Sequence, residues 1–432
     1  MQRTIEKQLL AWKKSKRRKP LILRGARQVG KTWLVEHILA QEFENCVKID
    51  FEKKKNLHTY FEDDLDPAKI VSYLELSTEK IIPGKTLLFF DEIQACPRAI
   101  MALKYFYEDM PGLHVIAAGS LLEFAFGNIS IPVGRVQYMQ VNPMSFFEYL
   151  VAVSSEMLAA TSLKHPSTVD DTVQNVLLGE LRNYLFIGGM PECVKTWRDS
   201  TSMIETFEVQ SEILESYRDD FSKYRPQVDS TCLDTVFLNC AKRVGDQLIY
   251  TKLDHGHTGQ TNRKAFDLLA KAGVLTKIPS CIPSGLPLGA TANQKKFKAS
   301  LLDIGLMQRL CRTPVDLELQ QKDLLSIFKG RLAEQFVAQE LLVHNGHDLF
   351  YWAREARGSS AEIDYLLVCN GSIYPIEVKS GASGSLKSMH MLLRKYGNCP
   401  AGLVLYDGNY KNLPEQKLEF LPLYSVGGLC RQ

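Results

Sequence analysis

Gly25-Ala26-Arg27-Gln28-Val29-Gly30-Lys31-Thr32 lies between two apolar segments, and its surroundings decide how the chain begins. Before it runs Pro20-Leu21-Ile22-Leu23, which predicts a buried strand. After it come Trp33, Leu34, Val35, Ile38 and Leu39, an apolar helix pattern. Strand, glycine loop, helix is the context in which the spacing GxxxxGK[ST] carries meaning. Gly25 and Gly30 permit a sharp turn that aims backbone N–H groups inward. A helix N-terminus adds free N–H groups and the positive end of its dipole. Lys31 supplies a cation to β- and γ-phosphates, and Thr32 a hydroxyl to Mg2+. Residues Gly25 to Trp33 are therefore expected to cradle a nucleoside triphosphate, ATP or GTP.

Working outward, Thr86-Leu87-Leu88-Phe89-Phe90 predicts a second buried strand, ending in Asp91-Glu92. An aspartate at that end holds Mg2+ through water, the Walker B role. A glutamate beside it is able to orient and deprotonate an attacking water. Glu92 thus favours hydrolysis over phosphate transfer to a metabolite. Val115-Ile116-Ala117-Ala118 predicts a third strand, ending in Gly119-Ser120. Ser120 reads equally as a γ-phosphate sensor or as a strand-end turn. Arg135 follows Gly134; it reads as a surface residue, or as a cation for the transferred phosphoryl group.

The 432 residues imply two to four domains, at about 100–200 residues each. A 45% hydrophobic and 23% charged composition is that of a globular chain, and the net charge of +3 excludes a strongly basic nucleic-acid binder. One basic run, Lys13, Lys14, Lys16, Arg17, Arg18 and Lys19, reads as a solvated segment or as a patch for an acidic partner. The ten cysteines form no CxxC pair, and His255, His257, His344 and His347 have no thiol at ligand spacing. Free thiols, no signal sequence over Met1 to Ala11 and no apolar run of ~18 residues predict a cytoplasmic protein with no membrane partner.

Val151 to Ser167 reads as mixed and loop-like. Helical patterns then dominate, with a stop at Gly188-Gly189-Met190-Pro191. Between Asp229 and Pro279 short helices precede a strand, Val274-Leu275-Thr276-Lys277-Ile278, an order that resembles a winged helix. Its Arg263, Lys264 and Lys271 would face DNA, or the segment serves only for packing.

Near the C-terminal end, Glu362-Ile363-Asp364-Tyr365-Leu366-Leu367-Val368 and Ser372-Ile373-Tyr374-Pro375-Ile376-Glu377-Val378-Lys379 alternate like strands. Asn370-Gly371 between them is a two-residue hairpin signal. With that turn, Asp364 pairs with Glu377 and Glu362 with Lys379, all four on one face. Like charges directly opposite destabilise a sheet, so Asp364 and Glu377 call for a cation between them. Mg2+ with its preference for oxygen ligands is one answer; a solvent-facing pair screened by Lys379 is the other. Pro375 removes a ladder donor and raises the prospect of a bulge that would shift this register.

Asp364 followed by Glu377-Val378-Lys379 is the pattern of PD-(D/E)xK nucleases, which often add a ligand from an earlier helix, here Glu334. Taken together, the ordered series GARQVGKT, FFDEIQ, AAGS, Gly134-Arg135, the run Asn142 to Glu148, GGMPE, LLDIGL, GRLAEQFVAQEL, AEIDYLL and PIEVKSG resembles a bacterial and archaeal family of AAA-type ATPases. Its C-terminal domain of unknown function resembles a PD-(D/E)xK nuclease. The resemblance implies an α/β chain: an N-terminal P-loop NTPase (AAA-type) parallel sheet over residues 1–150, a helical lid or linker over 151–228, a winged-helix-like segment over 229–290, and a restriction-endonuclease-like α/β domain over 291–432. It implies ATP and Mg2+ as cofactors, Ser120 as sensor and Arg135 as arginine finger. It further implies Asp364, Glu377 and Glu334 as metal ligands, with Lys379 catalytic. Ile363 stands where the usual PD dipeptide would place its proline. Two functions follow: an ATPase that gates cleavage of DNA or RNA, or a nucleotide-dependent switch that binds a protein partner or itself.

Overall fold

The first five strands of the chain are short and mostly apolar, and in the computed structural model they form one parallel sheet. Residues 1–120, 134–164, 166–221, 228–312, 330–346, 348–356, 359–379 and 386–430 are described; His347 and the Ser380-Gly381 end of PIEVKSG lie outside them. The strands are β1 (Leu21–Arg24), β2 (Asn45–Asp50), β3 (Thr86–Asp91), β4 (His114–Ala118) and β5 (Gln137–Gln140), in the order β2-β3-β4-β1-β5. Every neighbouring pair is parallel. β3 and β4 are buried along their whole length, as apolar runs in a covered parallel sheet should be. Because all strands run one way, the ends of β1, β3 and β4 open on the same edge, the usual ligand edge of such sheets. Phe51, Phe61, Phe90 and Phe106 pack ring against ring beneath it, with centroids 5.4–5.9 Å apart.

The chain divides into two compact units. One holds Gln2–Asn142 with Lys271–Gly273; the other holds Pro143–Ala270 and Val274–Gln432, with Met1. The second unit gathers the helical, winged-helix-like and C-terminal segments of the sequence reading around one sheet. Its strands are β6 (Leu275–Ser280), β7 (Asn293–Leu301), β8 (Phe350–Ala356), β9 (Ser359–Cys369), β10 (Ser372–Val378), β11 (Gly402–Tyr406), β12 (Lys411–Leu413) and β13 (Leu418–Pro422). They run in the order β12-β13-β11-β10-β9-β8-β6-β7. The β9–β10 hairpin keeps the register set by Asn370-Gly371, from Ser372 opposite Cys369 to Ile376 opposite Tyr365. Asn370 and Gly371 both have positive φ, 49° and 78°, as a two-residue turn of this kind requires. Pro375 pairs with Leu366 in step, so it introduces no bulge.

Val151 to Ser167 is not loop-like. It carries the end of helix Phe146–Val153 and the helix Glu156–Leu163. The first is fixed by a capping box, in which Ser145 and Glu148 each satisfy the other's backbone N–H; Ser155 caps the second. These caps outweigh a weak periodicity. No described helix is long and apolar enough to cross a membrane.

Several motifs of the sequence series meet in a buried hydrogen-bonded knot in this unit. The Met144 N–H donates to Gly189 O at 2.6 Å, and the Tyr184 hydroxyl donates to Met144 O at 2.6 Å. Gln339 donates to the Tyr184 oxygen and accepts from the Ile304 N–H, each at 2.9 Å. Asp303 accepts from the N–H groups of Gly189 at 2.6 Å and Leu306 at 3.0 Å. Burial pushes the Asp303 carboxyl up to about 6. The glycines are needed for room: a Cβ on Gly189 would lie 2.0 Å from Met144 O. Gly189→Ala is therefore expected to destabilise the unit by roughly 3 kcal/mol through overpacking, read as a lower denaturant midpoint in full-length protein. An unchanged midpoint would remove the knot from the fold's essential contacts.

Candidate functional site

The loop after β1 begins on a close approach. A Cβ on Gly25 would fall 2.2 Å from Val141 O, and its φ is +145°. Gln28 and Gly30 also turn through positive φ, 64° and 92°. Arg3 fastens the far side, donating to Val29 O at 3.2 Å and to Asn142 O at 2.7 Å. After Gly30 the chain enters a helix at Lys31–Leu34 that continues as a π turn over Val35–Leu39.

Lys31 is buried, and its ammonium donates to Gly25 O at 2.9 Å and Ala26 O at 2.7 Å. Burial lowers it to about 8, against the opposing pull of Glu92 and Asp91 and with Arg27 adding to the lowering. Thr32 Oγ1 stands 3.2 Å from both carboxylate oxygens of Asp91 at the end of β3. Lys48, from β2, bridges Asp91 Oδ2 at 2.9 Å and Glu36 Oε1 at 2.7 Å. The sequence reading missed Lys48; its one signal is a charge between Val47 and Ile49 on a strand beside β3. Glu92 adopts positive φ, 46°, a strained setting for a non-glycine residue and one common at functional sites. Its carboxylate accepts from Gln94 Nε2 at 2.5 Å.

The donor chemistry fits ATP and Mg2+. A loop of turned backbone amides and a buried ammonium that has, among the described residues, only carbonyl partners suit phosphate oxygens. The hydroxyl of Thr32 and the carboxylate of Asp91 suit a hard cation. The Ser120 hydroxyl is buried, and among the described residues it has no hydrogen-bond partner. Arg135 is exposed and ion-paired with Glu108 at 2.6 Å.

The acidic face of the second unit is also assembled, with an addition. Glu334 comes from helix Arg331–Asn345, Glu362 and Asp364 from β9, Glu377 from β10, and Lys379 directly follows. Lys298 on β7 enters among them. Its ammonium lies 3.1 Å from Glu334 Oε2, 2.6 Å from Glu362 Oε1 and 3.1 Å from Asp364 Oδ1. The other oxygen of Asp364 accepts the Val378 N–H at 2.9 Å. Lys379 pairs with Glu377 at 2.5 Å. Burial opposes the Lys298 charge, but Asp364, Glu334 and Glu362 outweigh it and hold the ammonium well above its usual range. Burial pushes Glu334 and Glu377 up, and Asp364 adds to both. Lys298 was missed in the sequence because its partners lie at least 36 residues away. The available signal was a lysine inside Phe297-Lys298-Ala299-Ser300-Leu301, a stretch buried throughout.

The fold also brings together what spacing separated around His257. The Cys232, Asp254 and His257 ligand atoms lie within 4.8 Å of one another. They are locally satisfied, His257 by Asp254 at 2.7 Å and Cys232 by Asn262 at 3.6 Å.

Residues 17–150 match a family model described as an AAA domain. Residues 178–321 match a domain of unknown function (DUF8612), and residues 329–426 another (DUF4143). No curated protein sequence matches the chain. Similar solved structures include the Walker-type ATPase PABY2304 of Pyrococcus abyssi, 16% identical, over 72% of this chain and 95% of that one, at a TM-score of 0.45. The Thermotoga maritima RuvB Holliday junction branch migration motor is 19% identical over 65% and 90%, at 0.28. C. elegans PCH-2 is 14% identical over 46% and 62%, at 0.26. Residues 17–150 are thus an AAA domain by family match. Gly25→Ala, which drives a Cβ into Val141 O, is expected to weaken binding of a fluorescent ATP analogue by about 100-fold or more, nearly 3 kcal/mol. Unchanged affinity would mean that the loop is not the nucleotide site.

Proposed function

We propose that this chain binds ATP with Mg2+ at Gly25–Trp33 and hydrolyses it, and that its second unit is a non-cutting module through which the nucleotide state is passed to a partner. The observation that carries the first part is the juxtaposition of Lys31, Thr32, Asp91 and Glu92 at one sheet edge. Backbone N–H groups of the loop bind the phosphates, and Lys31 exchanges its carbonyl partners for β- and γ-oxygens. Thr32 and Asp91 would hold Mg2+, which supplies charge neutralisation on the phosphate oxygens. The Glu92 carboxylate takes a proton from the attacking water as its oxygen bonds to the γ-phosphorus and the bond to ADP breaks. Ser120, a buried hydroxyl with no partner among the described residues, is assigned to sensing that phosphate. Arg135 would serve as the finger only after leaving Glu108, in cis or across a subunit contact.

For the second unit, the convergence of Asp364, Glu377, Lys379 and Glu334 supports a PD-(D/E)xK-like fold. A specific observation favours a non-catalytic version: Lys298 stands among the same carboxylates. The winged-helix-like segment is assigned to packing, since Arg263 is engaged with Asp267 at 3.6 Å. Near-neutral net charge accords with a protein partner more than with a committed nucleic-acid substrate.

ATPase and nuclease assays on one preparation test this reading. Lys31→Ala should lose ATP binding. Glu92→Gln should retain binding and hydrolyse about 10²–10⁴-fold more slowly. Wild type and Lys379→Ala should give the same background on DNA and RNA with Mg2+ or Mn2+, with and without ATP. Hydrolysis untouched by Glu92→Gln, or cleavage removed by Lys379→Ala, would contradict it.

A further inference from the structure

We infer that Lys298 is a built-in counter-ion occupying the place of a divalent cation in the carboxylate cluster of the second unit, so that Glu334, Glu362 and Asp364 form a metal-independent clamp. The inference deepens the non-cutting reading of that unit and rests on it.

An ammonium has three N–H donors and no acceptor. Lys298 has three carboxylate oxygens at 2.6–3.1 Å, one each from Glu334, Glu362 and Asp364. Donors and acceptors are matched, and the point on which the oxygens converge is filled by Nζ. Mg2+ would need several of the same oxygens at about 2.0–2.1 Å. It would have to sit against a fixed positive charge, where the repulsion is poorly screened because the Lys298 side chain is only 2% exposed.

The remaining oxygens leave little for a metal. Asp364 Oδ2 is committed to the Val378 N–H, and Glu377 is paired with Lys379. Glu334 lies beside Gly245, where an added Cβ would fall 2.9 Å from Oε1. The lysine is also held from behind. It lies within a paired strand, opposite Ile278, and its ammonium is 5.5 Å and 6.0 Å from the ring centroids of Tyr351 and Tyr365. Moving it out would leave three buried or half-buried carboxylates without their cation.

The consequence is a substitution that creates a site. Lys298→Met keeps most of the side-chain volume and removes the charge, leaving oxygens that call for a cation. Nucleotide-free full-length protein is titrated with Mn2+, and free Mn2+ is followed by its electron paramagnetic resonance signal. Wild type and Asp364→Asn should take up Mn2+ equally up to about 1 mM, the range of weak oxygen sites. Lys298→Met should gain one Mn2+ site, tighter by at least about tenfold, and Lys298→Met/Asp364→Asn should lose it. A wild-type site removed by Asp364→Asn would overturn the inference, as would a folded Lys298→Met protein with no new site. Should Lys298→Met show no cooperative melt, wild type against Asp364→Asn decides alone: equal uptake upholds the inference and unequal uptake overturns it. Nucleotide is absent throughout, so failure of the ATPase reading leaves the result intact. Cleavage sensitive to Lys379→Ala without an Mn2+ site would sink the non-cutting reading while sparing the counter-ion.

Discussion

A buried ammonium costs several kcal/mol in lost hydration unless carboxylates surround it closely, and the second unit is organised around meeting that demand for Lys298. The lysine comes from β7, and its acids come from β9 and the helix Arg331–Asn345. Each is fixed only when the others are in place. This ties the hairpin β6–β7 to the strands at the far end of the chain and makes one eight-stranded sheet of segments that look separate in sequence. Breaking such a cluster by removing one partner typically costs about 3–5 kcal/mol, against about 0–1 kcal/mol for a single surface ion pair.

The first unit also buries a lysine, with the opposite electrostatic outcome. Among the described residues Lys31 has only the carbonyls of Gly25 and Ala26 as hydrogen-bond partners, and burial lowers it to about 8. Lys298 has three carboxylates and is held well above its usual range. One ammonium is under-compensated and suited to an arriving phosphate; the other has its anions already. Asp91 is likewise provisioned in advance, by Lys48 and Thr32. The two units thus differ in how each compensates its buried lysine.

What could be read from the sequence was local. The glycine loop, Asp91-Glu92 after its strand, and the Asn370-Gly371 turn each act through neighbours a few residues apart. Together they placed the sheet edge and the hairpin register as far as Ile376 opposite Tyr365. The cation those acids call for was legible as a need but not as a residue, because Lys298 arrives on a different strand. The knot of Gly189, Asp303, Tyr184 and Gln339 was equally hidden. Gly189, Asp303 and Gln339 carried the family resemblance, yet with Tyr184 they form a buried hydrogen-bonded core, with no sequence periodicity to link them. Caps at Ser145 and Ser155 turned an apparent loop into two helices, a case of side-chain hydrogen bonding outweighing pattern.

The central claim, one metal-dependent centre in the first unit and a metal-free clamp in the second, reduces to a stoichiometry. Full-length protein saturated with a non-hydrolysable ATP analogue is equilibrated with Mn2+, and tightly bound ions are counted per chain. One Mn2+ per chain, lost in Asp91→Asn and kept in Asp364→Asn, is the expected result. Two per chain, with one lost in Asp364→Asn, would contradict it.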